Sequence, residues 1–196
     1  MLSRPKRFGC AVLLLAGAAL WMPAAIEAET LSIDPAHSFF MFRTVRGGVA
    51  NIYGRFNDFS GSVTLDGDDF EGGSIEMSIQ TASVDTGVER RDNHLRSPDF
   101  LNSAEIPVMT FKSTSVKKVS DDRFEVTGDL ALHGVTKSVT ASVELVGRGK
   151  DRRLNATLIG FDGTFSIQRS DFKMGFMPQF VGDEVLIHFA VQVVGQ

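Results

Sequence analysis

The stretch FEVTGDLALHGVTKSVTASVEL, Phe124 to Leu145, decides the fold class. Phe124, Val126, Gly128, Leu130 and Leu132 alternate with Glu125, Thr127, Asp129 and Ala131. Val139, Ala141, Val143 and Leu145 then alternate with Thr140, Ser142 and Glu144. A period of two sends every second side chain to the same face, which is how a half-buried antiparallel strand reads. The pattern returns near the C-terminus, where Val185, Ile187, Phe189, Val191 and Val193 interleave with His188 and Gln192. Working outward, further strands are expected at 38–45, 53–56, 60–65, 74–79, 108–113 and 153–165, punctuated by Gly, Asp and Asn.

Roughly eight or nine such strands fit either a sandwich or a barrel. Helix is scarce. One segment, VERRDNHLR from Val88 to Arg96, has helical character, with Thr86 or Asp85 as a candidate cap, and Pro98 and a second turn over 100–103 follow it. A short helical crossover around 88–104 inside an all-β chain favours a single extended antiparallel up-and-down barrel.

The first 28 residues read as a leader. Arg4, Lys6 and Arg7 precede an apolar run from Cys10 to Leu20, and Ile26-Glu27-Ala28 supplies a cleavage site. The run falls short of the about 20 residues of a membrane span. A signal peptide over 1–28, removed on export, and one domain over 29–196 are therefore expected, a retained anchor being the alternative. Without the leader the chain keeps 17 Lys+Arg against 23 Asp+Glu, a net charge of −6. That balance offers nothing to a phosphate backbone, so nucleic acid is not an expected partner. Cys10 leaves with the leader, which removes disulfides, thiolate catalysis and Cys-type metal sites from the expected chemistry.

The remaining candidates are apolar or isolated. Fifteen of the 16 phenylalanines lie beyond the leader, beside the single Tyr53 and no tryptophan. Phenylalanine is apolar area with no polar atom needing a partner. A barrel of about eight strands either fills with such side chains or keeps room for one ligand, and a cavity lined this way would suit a hydrocarbon. The four histidines, His37, His94, His133 and His188, show no metal-ligand spacing, and no metal is expected. His94 sits among Arg90, Arg91, Asp92 and Arg96, either on a solvated helix face or against a ligand headgroup. No G-x-S-x-G elbow or phosphate-cradling glycine loop occurs, so no catalytic residue is nominated.

Several blocks in one order add a resemblance. They are IDPAHSFFMF at 33–42, SVDT at 83–86, RDNHLRSPDFL at 91–101, GDLALHGVTK at 128–137, RSDF at 169–172 followed by Met174, and VGDEV at 181–185. Together they resemble the YceI family of periplasmic polyisoprenoid-binding proteins over most of the chain beyond the leader. Ser138 departs from the family, where proline often follows the Thr-Lys pair. The resemblance implies a lipocalin-like barrel that is not an enzyme, has no cofactor and holds a polyisoprenoid lipid, such as a prenyl quinone or prenyl pyrophosphate. It places Phe40, Phe42, Phe111, Leu132, Phe172 and Met174 on the cavity wall, and nominates Arg91, His94 and Arg169 for a headgroup. It also implies a periplasmic location, and it allows transient membrane contact and a homodimer. Two other functions compete with a carrier: an enzyme acting on such lipids, which needs His94 or His133 inside the cavity, and a ligand-free stress-related partner protein.

Overall fold

The computed structural model describes residues 29–66, 69–153 and 155–195. The expected leader over 1–28 lies outside the described residues. Eleven strands carry the fold: β1 (Glu29–Ile33), β2 (Phe39–Arg46), β3 (Ala50–Phe56), β4 (Phe59–Asp66), β5 (Asp69–Gln80), β6 (Val84–Asp85), β7 (Val108–Lys118), β8 (Arg123–Leu132), β9 (Val135–Asp151), β10 (Ala156–Gln168) and β11 (Glu184–Gly195). One α-helix, α1 (Glu89–Leu95), joins them.

All pairings are antiparallel, and β1-β4-β5-β7-β8-β9-β10-β11 closes on itself through β1 and β11. The fold is thus a closed eight-stranded antiparallel barrel with one helix, and closure leaves those strands no free edge to manage. The predicted alternation is visible in burial. On β8, Phe124, Val126, Gly128, Leu130 and Leu132 all point inward.

One break lets the barrel grow long. A 3-10 turn at Pro35–His37 separates β1 from β2, with Asp34 accepting from Ala36 N–H and contacting His37 Nδ1 at 2.7 Å. β11 runs past the break, pairing with β2 through Ala190 and with β1 from Val193 onward. Beyond the break, β2, β3 and β6 continue the wall. From there α1 and the turn that follows it lead to β7, and the Pro107 carbonyl just before that strand accepts from Thr81 N–H. The 13 residues of β10 span about 43 Å at ~3.3 Å per residue, and a strand tilt of about 35–45° makes that about 30–35 Å along the barrel axis.

Three expectations need correction. The strand expected at 153–165 begins at Ala156, because β9 runs on to Asp151 and a hairpin intervenes. Neither Thr86 nor Asp85 caps α1. The N-cap position is Val88, while Thr86 N–H and Oγ1 both donate to the buried Asp92 carboxylate. Finally, β1 and β6 were not among the expected strands; β6 has only two residues, and in β1 only Leu31 and Ile33 alternate inward.

Candidate functional site

The interior is a cavity of about 250 Å³ to which every strand contributes a side chain. One water needs about 10–15 Å³ on this scale, so the space equals on the order of twenty waters. Its wall is apolar apart from Gly73, the hydroxyls of Thr44, Thr64, Ser74 and Thr110, and one charged group, Arg169. An enclosure of that composition stays dry and accepts hydrocarbon.

The two ends differ. At the end holding the β4–β5, β7–β8 and β9–β10 hairpins, the buried rings of Phe124 and Phe161 meet Phe70 edge-on at 5.3 and 5.0 Å. The Arg148 guanidinium lies 4.5 Å from the centroid of the Phe70 ring. This end is packed shut. At the other end the wall passes to Thr44, Leu95, Phe100, Val181 and Val185, which remain half-buried.

Glycines explain how a phenylalanine-rich barrel keeps a lumen. A Cβ on Gly163 would lie 2.2 Å from Phe189 Cζ, and one on Gly54 would lie 2.3 Å from Phe42 Cζ. Both rings belong to the cross-strand partner of the glycine. Phe111 covers Gly128 in the same way, with a Cβ-to-Cζ distance of 2.4 Å. Each ring therefore lies along the wall over a bare backbone instead of projecting across the bore, the arrangement known as aromatic rescue of a strand glycine.

Arg169 is buried, with 3% of its surface exposed. Nε donates to Gly182 carbonyl at 3.0 Å, Nη2 to Val181 carbonyl at 2.9 Å and Nη1 to Met174 carbonyl. Burial pushes its pKa down from the ordinary arginine value, against an opposing pull from Asp183. Asp183 in turn is held below the usual carboxylate range by the Ser170 hydroxyl first and by its N–H. Arg169 thus fastens the 169–183 loop, all three of its guanidinium nitrogens donating to backbone carbonyls.

The structure sorts the predicted residues. Phe40, Phe42, Phe111, Leu132, Met174 and Arg169 line the cavity. Phe172 does not. It is 1% exposed and packed in the wall with Val84 and Leu101, its carbonyl accepting from His133 Nδ1 at 3.0 Å. Arg91 and His94 are also absent from the lining. Arg91 donates from Nε to Thr86 Oγ1 and from Nη2 to Thr86 carbonyl, which turns it toward the base of α1. His94 is exposed, with Nε2 3.0 Å from Asp99 Oδ2 and the rings of Phe100 and Phe176 edge-on to it.

Sequence reading overlooked Leu95, Phe100 and Leu101, which bring the helical crossover to the lumen. Leu101 and Phe100 sit inside the RDNHLRSPDFL block, where the charged residues drew the reading. The other histidines have polar partners outside the lumen: His37 with Asp34 and His188 with Asp162. Among the described residues no group of three or more His, Asp or Glu is placed to hold a metal ion.

Comparison with known proteins agrees with this architecture. The sequence model of the YceI-like domain matches residues 31–193. A UPF0312 protein of Pseudomonas aeruginosa is 40% identical over 178 residues, covering 89% of this chain and 92% of that one. BcnA of Burkholderia cenocepacia superposes with a TM-score of 0.74 at 27% identity, covering 82% of this chain and 98% of that one. A polyisoprenoid binding domain from Saccharophagus degradans shares the fold with a TM-score of 0.65 at 16% identity, over 87% of this chain and all of the other. With its closed barrel, its apolar lumen and a domain match running almost from the first described strand to the last, the chain belongs to the YceI-like family.

Proposed function

We propose that this protein is a periplasmic carrier or sequestering protein for a long isoprenoid lipid, a prenyl quinone or prenyl phosphate. The observation that carries the reading is the lumen, a long cavity walled almost wholly by aliphatic and phenyl side chains and ending in a single cation. Isoprenoid tails are chains of such apolar groups, and Arg169 suits a polar or anionic head. The structural neighbour from Saccharophagus degradans, a polyisoprenoid binding domain, is consistent with that cargo. Export rests on the leader read over residues 1–28.

The magnitudes suit a carrier. At about −0.3 kcal/mol per heavy atom, a chain of about 20 enclosed carbons gives about −6 kcal/mol and one of about 40 gives about −12. A bilayer buries the same surface, so the net preference for the protein is small and the cargo can be handed back. An enzyme acting on the lipid would need a polar constellation in the lumen. Neither His94 nor His133, the candidates for it, lines the cavity.

Native mass spectrometry of protein gently released from the periplasm, with organic extraction of its cargo, tests the reading. A discrete adduct whose extract is a prenyl lipid is the expected result. A clean apo mass, with no uptake when prenyl lipids are offered in detergent, would refute it.

A further inference from the structure

The barrel end opposite the phenylalanine plug carries apolar side chains that the fold does not need. Phe176, Met177 and Phe180 are 38, 38 and 51% exposed, and Val49, on the neighbouring β2–β3 turn, is 87% exposed. They sit on two segments tied together by backbone. Gly47 N–H donates to Phe180 carbonyl, Gly182 N–H donates to Val45 carbonyl, and Arg46 bridges to Val181. Inside the loop, Phe180 N–H and Val181 N–H both donate to Met177 carbonyl, which folds the tip back on itself.

The strip is continuous with the lumen. Met174 and Val181, which bracket the loop, both line the cavity. The Phe176 ring meets the Phe100 ring at 5.7 Å, and Phe100 also lines the cavity. An apolar path therefore runs from the wall to the outside, with the His94 ring edge-on to both of its phenyl rings. Two exposed cations, Arg46 and Lys173, adjoin its segments. Of the carboxylates nearby, Asp99 is engaged by His94, Asp171 by Lys137 and Asp183 by Ser170, with Arg169 close to it, while Glu184 is exposed.

We infer that this tip, Phe176, Met177 and Phe180 with Val49, docks on the surface of a lipid bilayer and is the mouth through which a chain passes between membrane and lumen. The inference rests on the carrier reading for what passes, though not for the docking itself. Aromatic and long apolar side chains flanked by Arg and Lys are the composition that settles at the boundary between headgroups and acyl chains. A protein partner would need pairing groups for the exposed loop backbone across a defined outline. A bilayer needs only apolar reach and adjoining cations, and the tip supplies both.

The test compares unloaded wild-type protein with a double variant, Phe176→Ser with Phe180→Ser, in two assays. The first is co-sedimentation with vesicles of phosphatidylethanolamine and phosphatidylglycerol. The second is uptake of a fluorescent prenyl lipid, delivered either from such vesicles or from detergent. Removing two phenyl rings is expected to lower vesicle partition and the vesicle-to-protein transfer rate by about tenfold or more, while uptake from detergent stays at the wild-type level. Val119→Ser with Val146→Ser removes exposed apolar groups elsewhere and is expected to change neither assay. Wild-type protein that fails to bind vesicles, or a double variant that binds and transfers as wild type does, would overturn the docking surface. Vesicle binding that depends on Phe176 and Phe180, joined to no uptake from detergent, would uphold the docking and sink the carrier reading instead.

Discussion

Gly163→Ala and Gly128→Ala are the same change at inward positions of a strand, yet the surroundings separate them. At Gly163 the three atoms nearest to the new methyl all belong to the Phe189 ring. That ring can swing away, and the space it swings into is the lumen. The expected outcome is a cost of about 1–3 kcal/mol from overpacking and at least a tenfold loss of prenyl-lipid uptake in a fluorescence titration. Restoring the volume with Phe189→Leu on the same background is expected to return both. At Gly128 the methyl meets the Lys112 carbonyl at 2.5 Å as well as the Phe111 ring. Backbone cannot rotate out of the way, so this variant is expected to lose more stability than Gly163→Ala in a denaturant melt, because the β7–β8 pairing has to open. Arg169 is the other residue whose exchange is sharply defined. Arg169→Met leaves the carbonyls of Met174 and Val181 without their donor, while that of Gly182 keeps Thr44 Oγ1. At about 1–3 kcal/mol for each polar group left unpaired and about 2–4 °C per kcal/mol, the melting temperature is expected to fall by about 4–24 °C.

At the scale of elements, three fastenings hold the end of the barrel that contains α1. Arg96 donates from Nε to Ala82 carbonyl and from Nη2 to Val84 carbonyl, tying the helix to β6. Asp183 accepts from Ser170, and Asp85 accepts from Gly87 N–H, Asn57 and Arg55. Both carboxyls are held below their ordinary range, Asp183 chiefly by the Ser170 hydroxyl and Asp85 chiefly by the Gly87 N–H. A depressed carboxyl stabilises the fold above the unfolded value of about 3.9 and loses that contribution as pH falls through its folded value. Hydrogen exchange below about pH 4 is therefore expected to show the 84–107 and 169–183 segments opening before the strands. Asp183→Asn is expected to remove the pH dependence of the second segment.

These fastenings also show what the sequence could reveal. The long strands were legible because β8, β9 and β11 bury one face, and burial writes a period of two into the residues. The cavity positions came from the family resemblance, and Phe40, Phe42 and Phe111 line the lumen. Phe172, which the resemblance placed beside them, lies in a 3-10 turn where no alternation tells lumen from wall. Arg91 and His94 attracted a headgroup role because they are charged or polar and sit in a distinctive block. Yet the block is distinctive for holding its own backbone in place, through Thr86, Asp92 and Arg96.

For the molecule as a whole, the lumen and the fold are one system, since the strands that pair with each other also form the cavity wall. A ligand that binds only the folded state adds about 2.7 kcal/mol when present at about 100 times its dissociation constant. At about 2–4 °C per kcal/mol for a domain of this size, saturating prenyl lipid is expected to raise the melting temperature by about 5–11 °C. Differential scanning calorimetry with and without lipid checks it. The plug of Phe70, Phe124 and Phe161 has a further consequence. A rod drawn out of a cylinder sealed at its far end leaves a vacuum unless something follows it in. Water gains nothing among phenyl rings, and a closed ring of hydrogen-bonded strands resists being squeezed flat. On the carrier reading, the cheapest replacement for a departing tail is another tail, which favours a swap at the mouth over an empty protein set adrift.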